Sequence, residues 1–161
     1  SEPVFGAVYK ISAVEEKPGE FVPRIKISEN VEKITNPGRK KVYRIIDEEG
    51  RAIADMIAKA DEIVDMSRPF RYVDPTKPWK NRYFENCRAI ELQKQIIRNG
   101  ELVYDMPTLD EIAAYVKRQL SEEIWEEEQR FEYPHLHYLD MTPDYYEMKM
   151  QLLNDLSMKE V

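Results

Sequence analysis

Residues 23–44 read PRIKISENVEKITNPGRKKVYR, and the alternations and turns in this stretch decide the first half of the fold. Arg24-Ile25-Lys26-Ile27-Ser28 alternates polar with apolar, which predicts a strand with Ile25 and Ile27 inward and Lys26 outward. Ser28 offers an N-cap to a short helical turn through Val31 and Lys33. Asn36-Pro37-Gly38 ends that turn, because proline lacks a donor and glycine accepts positive φ. Lys40–Ile46 then reads as a strand, paired across the loop Asp47-Glu48-Glu49-Gly50 with a second one over 51–58. Between Arg24 and Arg44 stand seven Lys or Arg and two Glu, a local charge of +5 in a chain of net −7. A compact basic patch on an acidic protein suits a small polyanion, phosphate above all.

Working outward, Val8, Tyr9, Ile11 and Val14 form a β-rich segment before a turn at Pro18-Gly19. The chain opens on Ser1 and runs almost at once into this segment, which suggests a piece of a larger protein. Beyond residue 62, Pro69, Pro75 and Pro78 mark a connector without long regular elements. Ala89–Ile97 and Glu101–Tyr104 flank Asn99-Gly100, a strong hairpin signal. Thr108-Leu109-Asp110-Glu111 is a capping box opening a long helix, with a stripe of Leu109, Ile112, Ala113, Val116, Leu120, Ile124 and Trp125. Thr142-Pro143 starts a last helix, with Tyr145, Met148, Lys149, Leu152, Leu153 and Leu156 on one face. The expected class is α+β: mainly antiparallel strands in the first half, then a hairpin and two long helices. The expected divisions are a β segment over 1–62, a Pro-rich connector over 63–82 and a hairpin-plus-helices extension over 83–161.

At 161 residues, 42% hydrophobic and 34% charged, the composition is that of a soluble globular protein with a modest core. No apolar run approaches the ~20 residues of a membrane helix, so no membrane partner is expected. Cys87 stands alone, which excludes an internal disulfide and a cysteine metal site; it reads as a small, partly buried apolar residue, and a reducing cytoplasm fits best. His135 and His137, with Asp140 near, permit a metal reading, but a structural role in a linker is preferred and no metal site is assigned. Glu126-Glu127-Glu128 reads as a solvated helix face. The chain carries no Gly-rich nucleotide loop and no nucleophile elbow, so no catalytic residue is assigned within it.

The candidate site is therefore phosphate- or pyrophosphate-binding: Lys26, Lys33, Arg39 and Lys40 as cations, Thr35 as a hydroxyl donor, and Gly38 where backbone could approach an anion closely. The alternative, that these cations balance the acidic remainder or form salt bridges within the sheet, stays open. Nucleic acid is a poor fit: it needs a broader basic surface with stacking aromatics, and Tyr43 alone interleaves.

VFGAVYKI (4–11), PRIKISENVEKITNPGRKKVYRIIDEEGRAIADM (23–56), PWKN (78–81) and IIRNGELVYDMPTLDEI (96–112) resemble the carboxy-terminal third of nicotinate phosphoribosyltransferases. The family pattern is roughly G-G-V-Y-K-L, P-R-x-K-x-S-E-x-x-x-K-x-T-x-P-G-x-K-x-x-x-R and a later N-G-x-L; Ala7 replaces the second glycine of the first motif. The resemblance implies an enzyme that joins nicotinate to phosphoribosyl pyrophosphate with ATP hydrolysis and Mg²⁺, at the entry to NAD salvage. It implies a homo-oligomer built on a phosphoribosyltransferase α/β barrel that precedes this segment. Residues 1–62 would complete the sheet of the amino-terminal domain. The nicotinate site, the ribose-phosphate loops and a phosphorylated histidine would lie upstream, so the segment alone would be inactive; neither His135 nor His137 matches that histidine. Related nicotinamide phosphoribosyltransferases carry phosphate-contacting lysines in the corresponding segment. Lys26 resembles one and Lys33, with spacing off by a residue, another; Pro37-Gly38-Arg39 falls at their Lys-Gly-Arg corner. A non-catalytic assembly module is the alternative function.

Overall fold

A computed structural model of the chain describes residues 9–29 and 33–158. Its order is β1 (Ala13–Lys17), β2 (Glu20–Pro23), β3 (Lys40–Ile46), β4 (Ala52–Lys59), β5 (Phe70–Tyr72), β6 (Arg82–Phe84), β7 (Arg88–Glu91), β8 (Ile97–Arg98), β9 (Glu101–Leu102), α1 (Leu109–Arg118), β10 (Leu139–Met141) and α2 (Pro143–Ser157). The class is α+β, with antiparallel hairpins and two helices, as the patterning predicts. The chain divides into two compact units, one of Ser1–Lys40 with Glu147–Val161 and one of Lys41–Tyr146.

In the first unit, β1 and β2 pair antiparallel around the Pro18-Gly19 turn, where Gly19 holds φ +82°. The predicted strand over 24–28 is absent, and Ile27 lies 43% exposed. Pro23 closes β2, and beyond it the backbone is held by single hydrogen bonds, Arg24 N to Ser12 O (2.8 Å) and Thr35 N to Lys26 O (3.3 Å), without a ladder. Val8, and the helical turn expected through Val31, lie outside the described residues. Gly38 takes φ +80°, as the Pro-Gly corner predicts, and its N–H donates to Ser12 O at 2.6 Å. The Lys149 ammonium, half-buried on α2, donates to Asn36 Oδ1 at 2.8 Å, and burial lowers its pKa.

The second unit centres on a four-stranded sheet in the order β10-β4-β3-β7. The β3–β4 connection is the predicted acidic turn: Asp47 Oδ1 accepts from Glu49 N (3.0 Å) and Arg51 N (2.8 Å), which organises the tip. Ile45, Ala54, Met56 and Phe84 form the core, with Tyr72 stacked on Phe84 at 3.9 Å between ring centroids. Cys87 packs beside them, half-buried, and donates to Glu85 O. The Asn99-Gly100 hairpin is present, both residues at positive φ, but it holds only β8 and β9. The residues from Arg88 to Glu91 pair antiparallel with β3 instead. Leu92 N donates to Val42 O, and Gln93 Oε1 accepts from Val42 N, so the sheet edge captures this segment before it reaches the hairpin.

Thr108 caps α1 through a full capping box with Glu111. The long helix predicted from there is shorter: ten residues of α-helix pass into a π turn over Gln119–Glu123 and end at Ile124, which is extended. Its apolar stripe is not a core face, for no residue of α1 is buried and Leu109 is 84% exposed. Thr142 caps α2, its hydroxyl accepting from Tyr145 N (3.3 Å) and donating to Glu62 Oε2 (2.7 Å). The predicted α2 face, Tyr145 through Leu156, is its buried and half-buried side. Among the described residues no helix is long and apolar enough to cross a membrane.

Candidate functional site

In the first unit, three segments meet around an open cavity of about 710 Å³. Residues 9–14 supply Tyr9, Lys10, Ile11 and Val14, and residues 24–28 supply Arg24, Ile25, Lys26 and Ser28; Lys33 completes the described lining. The segments are tied at backbone level, since the Lys10 ammonium donates to Lys33 O at 2.9 Å and Thr35 N donates to Lys26 O. Isoleucine and valine form the walls, and four cations stand around them.

The cations are not equivalent. Arg24 is held by the Glu16 carboxylate, and Lys10 is spent on a carbonyl. Lys26 and Lys33, both exposed, have no carboxylate partner among the described residues. Two uncommitted ammonium groups lining one cavity attract an anion.

The other expected site residues sit elsewhere. Arg39 lies over the Phe21 ring, 4.3 Å from its centroid, a cation–π contact. Lys40 is half-buried with its ammonium 3.3 Å from Gly38 O, and burial lowers its pKa. Thr35 is buried, and its hydroxyl has no hydrogen-bond partner among the described residues. Gly38 is packed against Met148: a Cβ there would stand 3.2 Å from Met148 Cε. So Lys26 and Lys33 line one cavity, whereas Arg39, Lys40, Thr35 and Gly38 are not among its described lining. Lys10 and Arg24 line the cavity but were not singled out from sequence; the signal was the cation set beside each β-rich segment.

The second unit holds a separate charged cluster. Arg44 on β3 grips Asp55 on β4 with two hydrogen bonds, Nε to Oδ1 (2.9 Å) and Nη2 to Oδ2 (3.1 Å). His137 Nε2 stands 3.3 Å from Asp55 Oδ1, within ionic reach though off the line of a hydrogen bond, and Nδ1 is 3.0 Å from Glu128 Oε2. Burial would raise the Asp55 carboxyl, but His137 and Arg44 outweigh it and hold its pKa below the ordinary value. Asp55 first, with Glu128, raises the His137 pKa against burial. The reading of 126–128 as a solvated helix face is thereby corrected: the stretch is a turn, and the Glu128 side chain is only 10% exposed because it faces this histidine. His135 instead meets Tyr138 edge-on. Among the described residues no three His, Cys, Asp or Glu gather as a metal site.

The family model described as the nicotinate phosphoribosyltransferase C-terminal domain matches residues 39–149. The chain is 38% identical to the nicotinate phosphoribosyltransferase of Bacillus subtilis over 96% of its own length and 31% of that relative. The corresponding values are 31%, 88% and 23% for the enzyme of that name from Caenorhabditis elegans, and 29%, 74% and 21% for the human one. The chain thus spans under a third of these relatives. The crystal structure of human nicotinic acid phosphoribosyltransferase superposes with a TM-score of 0.66 at 22% identity, covering 75% of this chain and 23% of that one; the likeness speaks for the fold.

Proposed function

This chain belongs to the nicotinate phosphoribosyltransferase C-terminal domain family, and from that premise we propose that it is the carboxy-terminal part of such an enzyme. The reaction would join nicotinate to phosphoribosyl pyrophosphate, giving nicotinate mononucleotide and pyrophosphate, with ATP hydrolysis and Mg²⁺, on the route to NAD. The setting is a cytoplasmic homo-oligomer, and this segment is inactive by itself.

The observation that supports a role for the chain is the pair of ammonium groups, Lys26 and Lys33, lining one cavity without a carboxylate partner among the described residues. As the bond from ribose C1 to pyrophosphate breaks, negative charge grows on the leaving oxygens. Cations brought against those oxygens lower the barrier by offsetting the charge as it develops. The residues here do not suit Mg²⁺ itself, which takes oxygen ligands, whereas this wall presents lysine and arginine. They suit phosphate oxygens.

The unburied apolar face of α1 favours the second reading, an assembly module, and the two roles are compatible. To test the enzymatic reading, purified intact protein is given nicotinate and phosphoribosyl pyrophosphate, with and without ATP. The expected result is nicotinate mononucleotide and pyrophosphate in equal amounts, faster with ATP. Turnover of neither substrate would overturn it.

A further inference from the structure

Two buried aspartates stand at opposing positions where the chain just beyond β5 meets β10. Val73, just beyond β5, bridges Met141 antiparallel through two hydrogen bonds, Val73 N to Met141 O (2.8 Å) and Met141 N to Val73 O (3.0 Å). One step along that register, Asp74 comes opposite Asp140, and each residue is 3% exposed. In an antiparallel ladder, the position next to a hydrogen-bonded pair brings opposing side chains close together. Two like charges there, both out of water, are unfavourable twice over.

The surroundings treat the two acids differently. Asp74 Oδ1 accepts from the Thr76 hydroxyl (2.5 Å) and the Thr76 N–H (2.9 Å). Its Oδ2 lies 3.9 Å from Arg82 Nη1 on β6 and, buried, has no hydrogen-bond partner among the described residues. Arg82 and Lys77 also favour the ionised form of Asp74. Asp140 has Asp74 against it, Arg82 in its favour, and Met56 of β4 beside it in the sheet. Tyr72 of β5 interacts with Arg82, sharing the guanidinium that also favours Asp140.

We propose that Asp74 and Asp140 form a proton-operated latch: Asp140 carries a proton in the closed state, Asp74 stays ionised, and loss of that proton to solvent releases the β5–β6 hairpin from β10. The released state separates the charges and lets water reach both carboxylates. Burial first, then Asp74, pushes the Asp140 carboxyl up to about 7, which agrees with this division of roles. A solvated aspartate titrates near ~3.9. The closed form therefore binds one more proton than the open form between those values, so closing weakens as pH rises through that window and levels off above it.

Amide hydrogen exchange at Val73 and Met141 in the intact protein, corrected for intrinsic rates, reads the latch directly. Protection is expected to fall about tenfold for each pH unit between roughly 5 and 7, then flatten. Asp140→Asn, which mimics the protonated acid, is expected to hold constant protection across the range. Protection independent of pH in the parent, or the same fall in Asp140→Asn, would overturn the proposal. Should that variant fail to fold, carboxyl-carbon titration of Asp140 in the unsubstituted protein decides: a midpoint near ~7 supports the latch and one near ~4 overturns it.

Discussion

Arg44 and Asp55 form a two-pronged ion pair between neighbouring strands, each side chain only 17% exposed. The pair is also the floor on which His137 rests, since the imidazole approaches the same Asp55 oxygen that Arg44 Nε binds. Removing one partner strands the other charge in a poorly hydrated place. Asp55→Ala is expected to cost about 3 kcal/mol by urea unfolding. A loss near that of an exposed ion pair, under about 1 kcal/mol, would show that water compensates Arg44.

The imidazole of His137 ties the segment after residue 134 to the sheet through Asp55 and to the 125–128 turn through Glu128. Its raised pKa fixes the sign of a pH effect. The folded state binds the proton more tightly than the unfolded state, so this contribution is full below about pH 6.5 and is lost as pH rises through the higher folded value. Stability is expected to fall by up to about 1.4 kcal/mol per pH unit within that interval, and His137→Gln is expected to remove the fall. Melting temperature against pH for both proteins is the check.

Gly38 has two constraints, positive φ and the Met148 thioether beside the position a Cβ would take. Gly38→Ala is expected to cost about 1–2 kcal/mol for the left-handed backbone, with a further loss from the contact. Met148→Ala in the same protein should relieve the second part alone. Full rescue would mean that the backbone conformation contributes little.

Local chemistry was legible in the sequence and long-range partnering was not. Thr108 with Glu111, Asn99-Gly100, Pro37-Gly38 and Thr142-Pro143 each specify their own geometry within four residues, and each is found as read. The partner of Arg88–Glu91 depends instead on which sheet edge is free, and β3 takes it from the nearby hairpin. For the same reason Ile25 and Ile27 alternate like a strand without forming one: among the described residues no neighbour pairs with them. Periodicity marked the α1 stripe but could not say what covers it. At the candidate site, the cation count pointed to the segment, yet Arg39 and Lys40 find closer company in Phe21 and a carbonyl. Glu128 was hidden because its two neighbours are exposed and it differs from them only by facing His137.

Lys26 and Lys33 carry the central proposal, that this cavity holds the phosphate end of the sugar donor. The most direct measurement is steady-state kinetics of the intact enzyme with Lys26→Ala and Lys33→Ala, titrating phosphoribosyl pyrophosphate at saturating nicotinate. A well-placed cation on a charge-developing oxygen contributes about 3 kcal/mol, so kcat/KM for that substrate is expected to fall roughly a hundredfold per variant. The melting temperature and the KM for nicotinate should stay as they are. A kcat/KM for phosphoribosyl pyrophosphate equal to that of the parent in both variants would contradict the account.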